Sequence, residues 1–415
     1  MKKINVALIG LGQRGRPWIL NKTLLKMEDV NVVAVCDIYE DRIEKALQSI
    51  TAAGGNAKGY TDYKEAMNHK GLDAIVLCSP WVMHSEQALY AMEKGIPVAS
   101  EVGAEYSLER CFELIRTQER TKTPYMFMEN CCYGKEEVLA TAVARKGLLG
   151  NIVHCSGKYS HDIREEISFG KENRHYRFDN YKYGNFDNYP THSIGPIARL
   201  LNVNRGNSIV SVTSVSSKAL GLEEYIKGLK EVPEYVKRES GITEFPEHLR
   251  NTKFSQGDVV DTLIRCSGGE TIHLQLCTSL PGYYTRDFTL RGTKGSYTGL
   301  TNTFYIDGVH DSYYFDPKLV NNAKEYENYL PDFWKNFDEE VEEHEDMDYF
   351  CFRAFFDALK NNQKMPIDIY DAATWMAVSV LSANSIAAGG ELQLMPDFTC
   401  GKWMIRKPED VFEIK

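Results

Sequence analysis

The sequence predicts an α/β protein whose N-terminal part is a doubly wound parallel sheet. Its second part is expected on a mixed or antiparallel sheet with one covered face. Three observations carry this expectation. The first third alternates short, wholly apolar runs with helical stretches, and a spaced set of glycines follows the first run. Beyond about residue 150 the runs lengthen and alternate apolar with polar side chains. A strand covered by helices on both faces needs no polar side, whereas a strand with one face in water does. Strand–helix–strand repeats therefore argue for the parallel sheet, and the alternating runs for the second one.

Taken in order, Ile4–Ile9 is a continuous apolar run and reads as the first strand. Residues 31–36 form a β-branched run that ends at Asp37, and residues 74–78, 97–100 and 125–128 read as further strands. Helical segments are expected over 41–53 and 85–94, the second stopped by Gly95 and Pro97. In the second part, strands are expected at 152–159, Ile209–Ser216, 258–266, 271–278 and 288–292. Gly268-Gly269 reads as the hairpin turn between two of them. Residues 160–190 are polar, aromatic and irregular, and a loop of that length in a compact domain is usually functional. The acidic run 338–348 reads as a solvated helix face.

The chain has 415 residues, which at roughly 150 per domain suggests two or three domains. A formal charge of −10 argues against non-specific binding to nucleic acid or to an anionic membrane. No apolar stretch approaches the roughly 20 residues of a membrane span. Met1-Lys2-Lys3 and the apolar residues after it lead into glycines and arginines rather than a cleavage site. The ten cysteines show no ligand-like spacing, so reduced, buried thiols in a cytoplasmic protein are expected. No metal site is expected; His344, Glu345 and Asp346 look like a ligand cluster, but they lie in the acidic run.

Gly10-Leu11-Gly12-Gln13-Arg14-Gly15 directly follows the first strand and precedes a helix. At that place glycines allow a tight turn, close approach of backbone to a pyrophosphate, and close helix–strand packing. The helix N-terminus adds free amides and a partial positive charge. Asp37, at the end of the second strand, is placed to accept hydrogen bonds from an adenosine ribose. It would repel a 2′-phosphate, so NAD is preferred over NADP; Arg14, Arg16 and Arg42 are the cations on the other side of that choice. Trp81 and His84 follow the next strand and are expected to cover the cofactor. Glu101-Val102 and Asn130 follow the two strands after it, so all these residues fall on one edge of one sheet.

A second constellation lies beyond residue 150. Tyr159-Ser160-His161 ends a strand, and Tyr189-Pro190-Thr191-His192 ends the irregular loop and starts a helix. Arg177 lies within the loop, and Tyr283-Tyr284-Thr285-Arg286 leads into another strand. A tyrosine and a histidine together can relay a proton or deprotonate a sugar hydroxyl.

With these residues in view, the whole chain resembles the glucose–fructose oxidoreductase and inositol dehydrogenase superfamily. Within it, the chain is similar to glycoside hydrolase family 109, the NAD-dependent α-N-acetylgalactosaminidases. Matching segments are Glu101-Val102, Glu129-Asn130-Cys131-Cys132-Tyr133, Tyr159-Ser160-His161-Asp162-Ile163-Arg164 and Tyr189-Pro190-Thr191-His192. Asn204-Arg205-Gly206, Tyr284-Thr285-Arg286, Met347-Asp348-Tyr349 and Asp368-Ile369-Tyr370-Asp371-Ala372 continue the match. The resemblance implies a Rossmann NAD-binding domain, residues 1–130, and a substrate-binding α/β domain on an open, largely antiparallel sheet, residues 131–415. Ordinary dehydrogenases of the superfamily carry lysine where this chain has Val102, and aspartate where it has Asn188. Gly103-Ala104 stands where family 109 usually has a proline, and residues 217–255 and 309–334 match less well.

The implied activity is a retaining glycosidase with bound NAD. Transient oxidation at carbon 3 acidifies the proton on carbon 2, the aglycone is eliminated, water adds, and carbon 3 is reduced again. His192 and Tyr189 are then expected to handle the carbon 3 hydroxyl, with Tyr189 also against the nicotinamide. Tyr284, helped by Arg286, is the candidate base at carbon 2. Tyr159 and His161 would bind sugar and assist the leaving group or water. Arg177, Pro190 and Thr191 complete the substrate set, and Gly10, Gly12, Gln13, Arg14, Gly15, Asp37, Trp81, His84, Glu101, Val102 and Asn130 the cofactor set. The expected substrate is a small glycoside, an α-N-acetylgalactosaminide or a related hexoside, and a homodimer or homotetramer is expected. Two other classes stay open: an NAD-dependent dehydrogenase of a free sugar or cyclitol, and a cofactor-binding protein without catalysis.

Overall fold

The computed structural model describes residues 3–311, 313–335 and 343–412, without the side chains of 343–345. The chain forms two compact units. The first comprises Met1–Val138, Leu330–Ala377 and Phe398–Lys415; the second comprises Leu139–Tyr329 and Val378–Asp397. Residues 330–377 and 398–415, expected in the second domain, thus belong by contact to the first unit. No helix among the described residues is long and apolar enough to cross a membrane.

The first unit holds a six-stranded sheet: β1 Ile4–Ile9, β2 Val30–Cys36, β3 Lys58–Tyr60, β4 Ala74–Leu77, β5 Val98–Ser100 and β6 Tyr125–Phe127. Their order is β3-β2-β1-β4-β5-β6, and every pair is parallel. The order reverses between β1 and β4, the switch point at which α/β sheets open a crevice for ligand. All of β4, β5 and β6 is buried, as the unbroken apolar runs require. The strand β3 was not expected, because Lys58-Gly59-Tyr60 carries no apolar run.

Four helices of this unit matter for the site: α1 Gly15–Thr23, α2 Glu40–Ala52, α3 Trp81–Glu93 and α4 Leu108–Thr121. The turns of α1 are wide, with Ile19 N–H bonded to Arg14 O at 3.2 Å, a form often found at functional sites. The expected start of α3 at residue 85 is corrected to Trp81, with Pro80 before it. Ser85 is therefore no cap; it lies a turn inside the helix and its hydroxyl donates to Glu105. The apolar start Trp81-Val82-Met83 carries no side-chain cap, so its sequence gives no start signal.

The acidic run is corrected as well. Residues 338–342 lie outside the described residues, as do the side chains of His344 and Glu345. Downstream, in the helix Glu343–Lys360, Asp346 and Asp348 are buried rather than solvated. This helix packs on α1 and on the turn Asn130–Tyr133.

The second unit holds eight strands: β7 Ile152–Ser160, β8 Ile209–Ser216, β9 Val260–Cys266, β10 Thr271–Cys277, β11 Thr289–Gly292, β12 Gly295–Thr298, β13 Thr303–Ile306 and β14 Gln393–Leu394. Their order is β13-β12-β11-β7-β10-β9-β8-β14. Only β7 and β10 pair in parallel; the other pairs are antiparallel. Alternation is clear in β10, where Ile272, Leu274 and Leu276 are buried between less buried polar neighbours. Gly269, at φ +96°, makes the turn between β9 and β10.

Residues 160–190 carry helical turns rather than an unstructured loop, Arg164–Ser168 and α5 Arg177–Tyr183, and α6 Thr191–Leu200 follows directly. Ile167, Phe169, Phe178 and Tyr181 bury themselves with Leu222, Ile226, Val236, Leu249 and Phe254. The poorly matching stretch 217–255 thus folds with the irregular segment as a helical cap over its own small core. The sheet lies closely on α6 at Gly157 of β7, where a Cβ would fall 2.9 Å from Ser193 Cβ.

Candidate functional site

In the first unit the glycine loop shows which positions the fold itself requires. A Cβ on Gly10, at φ +92°, would lie 2.5 Å from the Cys78 and Ser79 backbone, and one on Gly15 would lie 1.9 Å from Gly10 O. On Gly12 it would meet nothing nearer than the Arg42 side chain at 3.5 Å. Protein packing explains Gly10 and Gly15, therefore, but not Gly12. An open glycine just before a helix N-terminus is what a pyrophosphate needs, so the loop fits a dinucleotide.

Asp37 directly follows β2 and is buried. Its carboxylate accepts from Leu11 N–H at 2.8 Å and from Tyr39 N–H at 3.1 Å, which fixes the loop's first turn. Both oxygens keep acceptor capacity for hydroxyl groups. Arg42 stands 3.7 Å from it and lies over the Tyr39 ring. Gln13 is exposed at the crest of the loop.

Trp81, His84 and Val102 are buried. His84 Nε2 lies 2.7 Å from Ser79 O. Burial pushes its pKa down to about 4, so the ring is neutral near pH 7. Trp81 also explains Gly103, where the resemblance expects a proline: a Cβ there would lie 2.7 Å from Trp81 Cδ1.

Arg14 bridges two carboxylates. Its guanidinium forks onto Asp348 at 2.7 and 2.5 Å and reaches Glu101 Oε1 at 2.9 and 3.1 Å. Asn130 Nδ2 donates to Asp348 at 2.8 Å, and Glu101 accepts from Val102 N–H at 3.2 Å. Burial works against the charge on Arg14, but Asp348 and Glu101 outweigh it and hold its pKa above the ordinary value. The sequence puts Arg14, Glu101 and Asn130 in the cofactor set, whereas Asp348 figures in it only as part of a matching segment and of the acidic run. The partners stand 334 positions apart, and the acidic run gives no sign that this carboxylate is buried.

In the second unit the expected tyrosines and histidines form one aromatic cluster. Tyr159 packs on Tyr189 with centroids 4.4 Å apart, on His161 at 5.0 Å, on His192 at 5.5 Å and on Tyr284 at 6.4 Å. His161 and Tyr284 meet edge to face at 5.2 Å. The Tyr189 hydroxyl and His192 Nε2 are hydrogen-bonded at 3.2 Å. Arg286 donates to the Tyr284 hydroxyl at 3.2 Å. Arg177 lies over the Tyr189 ring at 5.5 Å and pairs with Glu166 at 3.2 Å. Pro190 and Thr191 are buried at the start of α6.

Burial pushes the His161 pKa down to about 4, with Arg177 adding to the effect. Its Nε2 is buried without a hydrogen-bond partner, so the cluster holds a neutral imidazole nitrogen. Tyr284 is the open member, 43% exposed, whereas Tyr159, Tyr189 and His192 are buried.

Asp187 was missed. It stands beside Asn188, where the resemblance expects an aspartate, and is 1% exposed. Its N–H donates to Ser382 at 2.9 Å, and its carboxyl is bonded to Thr262 and to the Tyr189 backbone. Burial pushes its pKa up from 3.8 to about 7. The unfolded chain loses this proton near pH 4 and the folded chain near pH 7, so the carboxyl costs stability increasingly as pH rises between those values. Asp187→Asn is therefore expected to raise Tm at pH 8, relative to wild type, by more than it does at pH 4.5. Melting curves at both values check this, and an equal shift at each would contradict it.

Residues 133–405 match the family model described as glycosyl hydrolase 109, C-terminal domain, and residues 4–128 match that of the oxidoreductase family, NAD-binding Rossmann fold. A glycosyl hydrolase family 109 protein of Stenotrophomonas maltophilia is 35% identical over 100% of this chain and 93% of that protein. An alpha-N-acetylgalactosaminidase of Tannerella forsythia is 32% identical over 98% of this chain and 88% of its own length. Among solved structures, levoglucosan dehydrogenase in complex with NADH and levoglucosan aligns with a TM-score of 0.70 at 17% identity, over 95% of this chain and all of that one. Myo-inositol 2-dehydrogenase of Lactobacillus plantarum aligns at 0.64 and 16%, with the same coverage. At such identities the two dehydrogenases speak for the fold, and the family models and relatives for the kind of enzyme. The chain belongs to glycoside hydrolase family 109: it is a glycosidase with an NAD-binding Rossmann domain and a second domain on a largely antiparallel sheet.

Proposed function

We propose that the chain is a retaining glycosidase of α-N-acetylgalactosaminides or closely related hexosides that works by transient oxidation of its substrate. The observation that carries this reading is the Tyr284–Arg286 pair set against His161 and Tyr159. Most glycosidases place two carboxylates across the scissile bond. Of the acids described near this cluster, Glu166 is tied to Arg177, Asp162 to Arg164, and Asp187 is buried against Thr262 and the Tyr189 backbone. The groups gathered against one another here are phenol and imidazole.

NAD, when bound, supplies reversible removal and return of hydrogen at carbon 3, with no net redox change. Gly12, the amides at the start of α1, and Asp37 would hold it. Arg14 is engaged by two carboxylates, so a 2′-phosphate would have to rely on Arg16 or Arg42, which supports NAD over NADP. Tyr189 and His192, already sharing a hydrogen bond, would take and return the carbon 3 hydroxyl proton. Tyr284 would remove the carbon 2 proton, since Arg286 donates to the oxygen on which negative charge would form. Tyr159 would carry the sugar face, and neutral His161 would serve the leaving group or the incoming water. Arg177 would bind substrate oxygens.

Hydrolysis of a panel of aryl α-glycosides in D₂O tests this. The released sugar is expected to carry deuterium at carbon 2, with no accumulation of NADH. Hydrolysis without deuterium at carbon 2 would contradict the mechanism, and stoichiometric NADH from free sugars would point to a dehydrogenase.

A further inference from the structure

We propose that Asp348 is a positioning residue for cofactor retention: with Arg14 and Glu101 it forms a clamp that fixes the glycine loop and slows release of the bound nucleotide. This rests on the cofactor reading above.

Arg14 is the last residue before α1, so its backbone sets where that helix begins and how its free amides point. Its side chain is tied to two other parts of the unit. Glu101 follows β5, and Asp348 sits in the helix Glu343–Lys360, which also packs on α1. Asn130, after β6, holds the Asp348 carboxylate from a further side. Asp348 is 1% and Glu101 5% exposed. The loop has little slack elsewhere, since a Cβ on Gly10 or Gly15 would overlap neighbouring backbone atoms. Letting a nucleotide out by deforming this loop would pull Arg14 from two buried carboxylates. Separating buried, hydrogen-bonded charges is costly, and such costs fall mainly on dissociation rates. The fork on Asp348 is bidentate, so it fixes orientation as well as position. A catalyst that ends each cycle with its cofactor restored gains from keeping it, and this clamp supplies a means.

The test is nucleotide release. Wild type, Asp348→Asn and Arg14→Lys are loaded with NADH and mixed with excess NAD, and the loss of bound-NADH fluorescence is followed. Nucleotide carried through purification is measured in parallel. Asp348→Asn removes the charge but keeps an acceptor for Asn130; Arg14→Lys keeps the charge but loses the fork. Release is expected to quicken by about tenfold or more in the first and less in the second, with the double variant no faster than their sum predicts, since the two changes break one interaction. A purely structural role would lower Tm and leave release within about twofold of wild type in both variants, and that result overturns the proposal. Should Asp348→Asn not fold, Arg14→Lys alone decides. A wild type that binds no nicotinamide nucleotide would overturn the cofactor reading itself, an outcome distinct from a nucleotide held and released at an unchanged rate.

Discussion

Replacing Tyr284 by phenylalanine is expected to lower kcat/KM for an aryl glycoside by about 10²- to 10⁴-fold, the range that one positioned acid or base contributes. Thermal stability is expected to hardly change. The two expectations differ because Tyr284 is 43% exposed while its neighbours Tyr159, Tyr189 and His192 are buried. Its ring keeps the edge contacts with His161 and Tyr159 when only the hydroxyl is lost. What disappears is the oxygen to which Arg286 donates. If that oxygen takes the carbon 2 proton, deuterium entry into the released sugar must fall in step with hydrolysis. Tyr159→Phe makes the contrast: as a sugar-contacting face it should raise KM more than it lowers kcat. Near-normal turnover by Tyr284→Phe, with exchange intact, would remove Tyr284 from the role. Loss of hydrolysis with exchange preserved would move it to the aglycone step.

The sequence made some of this legible and hid the rest for physical reasons. Strands buried on both faces announce themselves by composition, so β1, β2, β4, β5 and β6 were readable, whereas β3 is three residues with no apolar run. The glycine loop and Asp37 were readable because their spacing is local. The start of α3 was not, since Trp81 begins a helix with no capping side chain. Composition misled at Asp348: carboxylates in a charged run usually face water, and only a partner far along the chain makes one of them buried. Asp187 was hidden for a similar reason. Its partners are a strand hydroxyl, a helix hydroxyl and a backbone amide, none of which a one-dimensional pattern brings together. The tyrosines and histidines of the second unit were named singly, and the structure gathers them into one cluster.

The three glycines of the loop offer the sharpest separation of folding from binding. Gly15→Ala is expected to abolish the folded protein or strongly destabilise it. Its Cβ would overlap Gly10 O at 1.9 Å, and the backbone cannot give way as the tip of a flexible side chain can. That exceeds ordinary core overpacking, which costs about 1–3 kcal/mol. Gly12→Ala should behave in the opposite way. The new methyl would meet only Arg42 at 3.5 Å, an ordinary contact, so Tm should stay within a few degrees of wild type. Yet the methyl would stand where a pyrophosphate must approach the backbone. Affinity for NAD should fall by about tenfold to a hundredfold, as for a ligand held off by one added carbon. Melting curves and NAD titrations on the two variants decide this. A Gly12→Ala protein that binds NAD normally would mean that the open glycine is not a phosphate cradle. The loop would then not be the part of the chain that holds a nucleotide, whatever the second unit does with a sugar.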